Sequence, residues 1–191
     1  MSSDAPEAAQ RLFFALWPEE SERLALAHAA RKAVRSCGGR PVPPGNIHVT
    51  LAFLGSVPQR RVPEVRAIAR QVADACTRDA PLALRFETLA HWRKAQILCA
   101  LARDAPAAAE RLARALKDAT AAAGFTPDLK PFHAHVTVAR KVARPLARRA
   151  LRPVAWCFAA FALIDSRTEE DGSVYSVIES YPLVKADKAR E

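Results

Sequence analysis

Two short segments of this chain carry the same pattern, a histidine and a threonine separated by one valine. The segment from His48 to Leu51 reads HVTL, and the segment from His135 to Val138 reads HVTV. Both lie in apolar runs typical of β-strands, and a strand directs residues i and i+2 to the same face. Each segment is therefore predicted to present one imidazole beside one hydroxyl.

Two such pairs facing each other would provide the groups that phosphodiester hydrolysis requires. Water must lose a proton as it attacks phosphorus, and the leaving oxygen must gain one on roughly the opposite side. Histidine, with an unperturbed pKa of about 6.5, suits either role near neutral pH. Thr50 and Thr137 would donate to the non-bridging phosphate oxygens. This chemistry needs neither a metal ion nor another cofactor, so none is predicted.

The elements that would position the two motifs follow from the periodicity of apolar residues. Helices are predicted over 19–35, from Pro63, and from a cap at Asp104 to Gly124. Strands are predicted over 11–17, 46–54, 82–92, 96–101, 132–139, 154–164 and 173–183, with a turn at Asp171-Gly172 before the last one.

Strict alternation along the motif strands makes specific predictions about two neighbouring positions. In the first strand it places Phe53 on the core face and Ala52 on the face of the imidazole and hydroxyl. In the second strand it places Arg140 opposite His135, unless the strand curls at its end or contains a bulge.

One motif strand falls in each half of the chain, which suggests an internal duplication. We therefore expect an α+β fold of two similar lobes, each a mostly antiparallel sheet backed by helices, related by a pseudo-two-fold axis around a central cleft. Residues 1–191 are expected to form this single bilobal domain, with residues 1–9 as a loose tail.

The composition is that of an ordinary globular protein, and its net charge of +9 favours anionic partners such as RNA or nucleotides. Solubility alone would explain that charge equally well. We expect no membrane contact, because there is neither an apolar run of about 18 residues nor a signal peptide. Four cysteines without a CxxC pair favour buried free thiols and a cytoplasmic location. A monomer is expected.

The segments NIHVTLAFLG (46–55) and FHAHVTVAR (132–140) resemble the two signature motifs of the two-histidine phosphoesterases. The most similar branch is the RNA 2′,3′-cyclic phosphodiesterase or 2′-5′ RNA ligase family. The resemblance extends over nearly the whole chain, including the FFAL-W strand and the region of Ser166 and Tyr175. It implies hydrolysis of 2′,3′-cyclic phosphate ends of RNA or nucleotides to a 2′-phosphate, with 2′-5′ ligation as the reverse reaction.

The resemblance also implies roles for individual residues. His48 matches the proton donor to the leaving 3′ oxygen, and His135 matches the proton acceptor that activates water. Thr50, Thr137 and Arg140 match the groups that bind the substrate phosphate. Ala52 departs from the family pattern, which often has a basic residue here, so one cation is missing or is supplied from elsewhere.

Several alternatives stay open on sequence grounds. The cleft could bind a nucleotide or RNA without turnover, or act on another diester such as a 2′-5′ oligonucleotide or a cyclic ADP-ribose phosphate. His133, predicted on the face of His135, could form a zinc site with His48. The six basic residues within 140–152 would either follow an RNA backbone or form a solvated surface. The aromatic residues that could stack on a base are Phe53, Trp92, Phe132 and Tyr175.

Overall fold

The computed structural model describes residues 8–78, 80–103, 106–170 and 172–184. Within these ranges the chain forms three α-helices and nine β-strands. The helices are α1 (Glu20–Cys37), α2 (Val62–Cys76) and α3 (Ala107–Ala122). The strands are β1 (Ala9–Leu16), β2 (Arg40–Pro41), β3 (Val49–Pro58), β4 (Leu82–Trp92), β5 (Ile97–Ala102), β6 (His135–Arg140), β7 (Arg149–Phe158), β8 (Ala160–Glu169) and β9 (Gly172–Pro182).

The strands form two sheets in which all neighbouring strands are antiparallel. The first sheet has the order β3-β1-β8-β9, and the second has the order β2-β6-β5-β4-β7. The first motif lies at the start of β3 and the second in β6, and these two strands contact each other. The predicted fold class, two lobes of antiparallel sheet backed by helices, is confirmed.

The same three-element unit occurs in both sheets. β1, α1 and β3 form one copy, and β5, α3 and β6 form the other; in each, the motif strand pairs with the strand that precedes the helix. Each helix packs against the opposite sheet, α1 on β6 and β7 and α3 on β3. The indole Nε1–H of Trp156 in β7 donates to the carbonyl of Glu22 in α1 at 3.0 Å. The helices therefore interlock the two lobes.

The two sheets are not the two halves of the chain, because the strand predicted over 154–164 is in fact two strands. β7 ends at Phe158 in the second sheet, the chain bends at Ala159, and β8 begins at Ala160 in the first sheet. The apolar sequence across this bend contains no Gly or Pro that would mark a break. β8 and β9 thus complete the sheet that begins with β1.

Most predicted element boundaries lie within two residues of the observed ones, but the two motif strands differ more. They begin at Val49 and His135 rather than at 46 and 132, and the first continues to Pro58 rather than ending at 54. Gly38 ends α1 in a left-handed conformation with φ of 62°, where a side chain would be strained. Leu24, predicted in the apolar stripe of α1, is 49% exposed. Ala9 begins β1 and so does not belong to a tail, whereas residues 1–7 and the predicted cap and turn residues Asp104 and Asp171 lie outside the described residues.

The four cysteines are free, but only two of them are buried as expected. Cys37 and Cys99 are buried, Cys76 is half-buried and Cys157 is exposed. Among the described residues, no helix combines the length and apolarity needed to cross a membrane.

Candidate active site

A cleft of about 270 Å³ is lined by residues of both sheets. His48 and Thr50 reach it from the first motif, and His135 and Thr137 reach it from the second. The structure therefore brings the two imidazole–hydroxyl pairs into one space. The other lining residues are Arg11, Phe13, Val42, Asn46, Phe53, Arg140, Ser166, Thr168, Ser173 and Tyr175.

A β-bulge in β6 directs Arg140 into the cleft. The pairing of β6 with β5 skips one residue between Thr137 and Ala139, which makes Val138 the extra residue of the bulge. The bulge reverses the alternation of side chains, so Arg140 lies on the same side of the strand as Thr137. The sequence analysis allowed Arg140 to reach this face through either a curled strand end or a bulge, and the strand adopts the bulge.

The first motif contains the same bulge at the equivalent position. The pairing of β3 with β1 skips one residue between Thr50 and Ala52, which makes Leu51 the extra residue. Ala52 is consequently buried at 1% exposure, and Phe53 lines the cleft. The faces predicted for Ala52 and Phe53 are therefore wrong, because strict alternation does not survive the inserted residue.

A cation reaches the side of the cleft that Phe53 lines, but it comes from a neighbouring strand and not from position 52. Arg11 in β1 lines the cleft, and its guanidinium carbon lies 5.0 Å from the centroid of the Phe53 ring. The pairing of Phe13 with Phe53 in adjacent strands sets this arrangement. The sequence analysis missed Arg11, since only the strand pairing shows that β1 lies beside the motif strand.

A backbone carbonyl two residues earlier orients each motif imidazole. Nδ1 of His48 lies 2.8 Å from the carbonyl oxygen of Asn46, and Nδ1 of His135 lies 2.7 Å from that of His133. A carbonyl can only accept a hydrogen bond, so Nδ1 carries the proton and donates it. In the neutral ring, Nε2 is therefore the basic nitrogen. Nε2 of His48 lies 3.0 Å from Oγ1 of Thr50, whose hydroxyl donates to it.

Aromatic rings surround His48. Trp17 stacks on the imidazole with a centroid distance of 5.6 Å and an interplanar angle of 21°. Phe13 lies at 4.9 Å, and the edge of Tyr175 at 5.3 Å. His135 has one such neighbour, Trp92, at 4.5 Å. Apolar neighbours remove water from an imidazole, which disfavours its charged form.

The pKa values of both imidazoles reflect this burial. Burial lowers the pKa of His48 from 6.5 to about 4; the Asn46 carbonyl opposes this shift, and the nearby charges of Arg140 and His135 add to it. Burial also lowers the pKa of His135, against the opposing effect of the His133 carbonyl. Both shifts favour the neutral form of the ring in the free protein at neutral pH.

The sequence predicted that His133 lies on the same face as His135, but the structure places the His133 side chain outside the cleft. Its exposed side chain lines a separate groove beside α3, together with Phe132 and Leu129. Its contribution to the cleft is the backbone carbonyl that holds His135. Within the described ranges, no three His, Cys, Asp or Glu side chains are grouped closely enough to hold a metal ion.

The four aromatic residues considered for base stacking lie in different places. Phe53 and Tyr175 line the cleft, Trp92 packs on His135, and Phe132 lines the groove beside α3.

A sequence profile described as the 2′-5′ RNA ligase superfamily matches residues 17–167, which is most of the chain. This chain belongs to that superfamily. The family inferred from the two motifs is therefore confirmed.

Two curated proteins similar to this superfamily member carry the name RNA 2′,3′-cyclic phosphodiesterase. The protein from Thermus thermophilus is 30% identical over 194 residues, covering 95% of this chain and 93% of its own length. The protein from Escherichia coli is 29% identical over 131 residues, covering 69% of this chain and 72% of its own. These relatives confirm the prediction that the chain is an enzyme of the phosphodiesterase class.

Solved structures of this superfamily share the fold. Escherichia coli LigT complexed with 3′-AMP superposes with a TM-score of 0.82 at 25% identity, covering 92% of this chain and 99% of LigT. TT0787 of Thermus thermophilus superposes with a TM-score of 0.75 at 30% identity, covering 91% of this chain and 97% of that one.

Proposed function

We propose that this superfamily member hydrolyses 2′,3′-cyclic phosphate ends of RNA or nucleotides to a 2′-phosphate by proton transfer between two histidines. One observation carries the proposal: two imidazoles, each fixed by a carbonyl at Nδ1, line one cleft with two threonine hydroxyls and Arg140. The name of the relatives, RNA 2′,3′-cyclic phosphodiesterase, supports this substrate class.

His135 is the general base. Its lowered pKa leaves Nε2 unprotonated at neutral pH, ready to accept a proton from water as the water oxygen forms a bond to phosphorus. His48 is the general acid, which gives its Nε2 proton to the 3′ oxygen as the bond between phosphorus and that oxygen breaks. Proton exchange with solvent then restores both rings.

The acid role of His48 requires the substrate itself. Its pKa of about 4 in the free protein leaves it neutral, so it cannot donate from Nε2 before the phosphate arrives. A phosphate anion beside the imidazole favours the charged form and raises this pKa. Binding of the substrate and uptake of the catalytic proton are therefore coupled in this proposal.

Thr50, Thr137 and Arg140 bind the phosphate. Their two hydroxyls and the guanidinium donate to non-bridging oxygens, where negative charge is held through the transition state. In the free protein the hydroxyl of Thr50 bonds to Nε2 of His48. It turns from the imidazole to the phosphate once that nitrogen is protonated. Arg11 adds a second positive charge at the opposite side of the cleft.

The proposal also treats the chain as a single bilobal domain that acts as a monomer. The contribution of one histidine by each lobe and the packing of each helix on the opposite sheet support the single domain, and the monomer stays a prediction. The same proton transfers also permit 2′-5′ ligation when a 5′ hydroxyl takes the place of water. His135 then accepts the proton of that hydroxyl as its oxygen bonds to phosphorus, and His48 gives a proton to the 3′ oxygen as the bond between phosphorus and that oxygen breaks. A cytoplasmic location stays a prediction from the composition.

The experiment is turnover of adenosine 2′,3′-cyclic phosphate in EDTA, with the product isomer identified by phosphorus NMR. The expected product is adenosine 2′-phosphate, formed at a rate that EDTA leaves unchanged. A 3′-phosphate product, or activity that requires a metal ion, contradicts the mechanism. Tight binding of the nucleotide without turnover would support a binding module, and cleavage of a 2′-5′ oligonucleotide alone would assign a different substrate.

A further inference from the structure

A second pocket of about 310 Å³ continues the cleft at the end of β6, and we call it the side pocket. Its walls include Arg140, Asn46 and Tyr175, which also line the cleft. Because the two spaces share these residues, the side pocket lies directly beside the cleft that holds the two motifs.

Cations dominate the side pocket. Arg40, Arg140 and Lys141 line it, and the lining residues that the structure describes include no carboxylate. Arg40 and Arg140 are register partners in β2 and β6, which places their side chains on one face. Together with Lys141 they place three basic residues around the side pocket.

Lys141 has an unusual backbone conformation for its residue type. Its φ is 51°, in the left-handed region that Gly and Asn tolerate better than Lys. Two backbone hydrogen bonds hold the segment that follows Lys141. The N–H of Val142 donates to the carbonyl of Gln96, and the N–H of Arg144 donates to the carbonyl of Cys37, each at 3.0 Å. The chain therefore holds Lys141 at the side pocket despite the conformational cost.

The other basic residues of the 140–152 run lie elsewhere. Arg149 and Arg152 belong to β7 at the far edge of the second sheet, and the backbone of Arg144 is tied to the end of α1. Of the run, Arg140 and Lys141 are thus the residues that line the cleft or the side pocket.

We propose that the side pocket binds the phosphate on the 5′ oxygen of the nucleotide whose cyclic phosphate is cleaved, with Lys141 as the specificity-determining contact. The inference rests on the proposed function. A nucleoside held by its cyclic phosphate at the motifs extends into the adjoining space, where Tyr175, Pro41 and Pro43 offer apolar contact. Its 5′ phosphate is the next anion along the molecule. Since Arg140 holds the cyclic phosphate in the proposed function, Lys141 is the matching cation for the 5′ phosphate, with Arg40 beside it.

This phosphate has two sources with the same chemistry. In a free nucleotide it is a 5′ phosphomonoester, and in RNA it is the phosphodiester that joins the terminal nucleotide to the chain. Three substrates separate the sources: adenosine 2′,3′-cyclic phosphate, the same compound with a 5′ phosphate, and an adenylyl-adenosine dinucleotide that ends in a 2′,3′-cyclic phosphate.

The test compares kcat/KM for these three substrates in the wild type, in Lys141→Asn and in the matched control Lys32→Asn. Asparagine removes the charge while tolerating the left-handed conformation, and Lys32 is an exposed residue of α1 that does not line either pocket. The wild type and the control are expected to prefer both 5′-phosphorylated substrates by about two- to fivefold, as one partly exposed charge contact allows. Lys141→Asn is expected to lose this preference and to hydrolyse the unphosphorylated nucleoside within about twofold of wild type.

Equal kcat/KM for all three substrates in the wild type would overturn the proposal, and so would a preference that persists in Lys141→Asn. Preference for the dinucleotide alone would assign the pocket to RNA, and preference for the monoester alone would assign it to nucleotides. Absence of turnover for every substrate would instead contradict the proposed function. The dependence of kcat/KM on salt concentration gives a second readout. The slope of log kcat/KM against log salt concentration should be shallower for Lys141→Asn than for the wild type on the 5′-phosphorylated substrates, because one phosphate contact is lost.

Discussion

Phe53 and Arg140 occupy equivalent positions in the two sheets. Each follows its motif threonine by three residues, and each reaches the cleft because the residue after that threonine forms a β-bulge. The pseudo-two-fold arrangement therefore places an aromatic ring, covered by Arg11, on one side of the cleft and a cation on the other. Two strands with the same motif thus provide different contacts for a substrate.

Replacing Arg140 tests the cation side of this arrangement. Arg140→Gln is expected to lower kcat/KM for a nucleoside 2′,3′-cyclic phosphate by roughly 10- to 100-fold, since a charge-assisted contact to phosphate is lost. Arg140→Lys should restore part of the activity because it restores the charge without the planar fork. Arg144→Gln, in the loop that follows β6, serves as the control; an equal loss there would show that the charge acts at long range rather than by contact.

Replacing either motif histidine tests the acid–base pair. His48→Ala and His135→Ala should each lower the rate by on the order of 10²–10⁴ with little change in the circular dichroism spectrum. The double variant should be only slightly slower than either single one, because the two rings act as a unit. Near-normal turnover by His48→Ala would refute its role as the acid.

The proposed coupling between phosphate binding and protonation of His48 is measurable by NMR. In the free protein, the imidazole of His48 should stay neutral until the pH approaches its pKa of about 4. Addition of adenosine 2′-phosphate should raise this pKa, because the anion stabilises the charged ring. The ring signals of exposed His28 provide the control within the same sample. A His48 pKa that does not change on binding would contradict the coupling.

The lowered pKa of His48 also predicts how stability depends on pH. Between about 6.5 and 4 the unfolded chain binds a proton at this residue and the folded chain does not, so protons favour unfolding. The contribution of His48 is complete above pH 6.5 and is lost as the pH falls through 4. In urea unfolding, His48→Gln should lose less stability than wild type between pH 7 and pH 4.5, while His28→Gln should behave as wild type. If the free energy of unfolding fell equally with pH in all three proteins, the prediction would be contradicted.

Local sequence was sufficient to predict several features of this protein. The two HVT segments, the apolar stripes of the helices and the hairpin of β4 and β5 depend on residues that are close along the chain, where periodicity and turn chemistry act directly. The superfamily also followed from the two motifs. These features identified His48, His135, Thr50 and Thr137 as residues of one site.

The tertiary structure decided what lies around those residues. A bulge adds one residue without a sequence mark, so the cleft-facing positions of Phe53 and Arg140 follow only from strand pairing. The bend at Ala159 transfers the chain from one sheet to the other within an uninterrupted apolar run. The rings that enclose His48 come from the region of β1 and from Tyr175 in β9, and Arg11 also comes from β1. These segments become neighbours of the first motif only on folding, and this packing lowers the imidazole pKa through the exclusion of water.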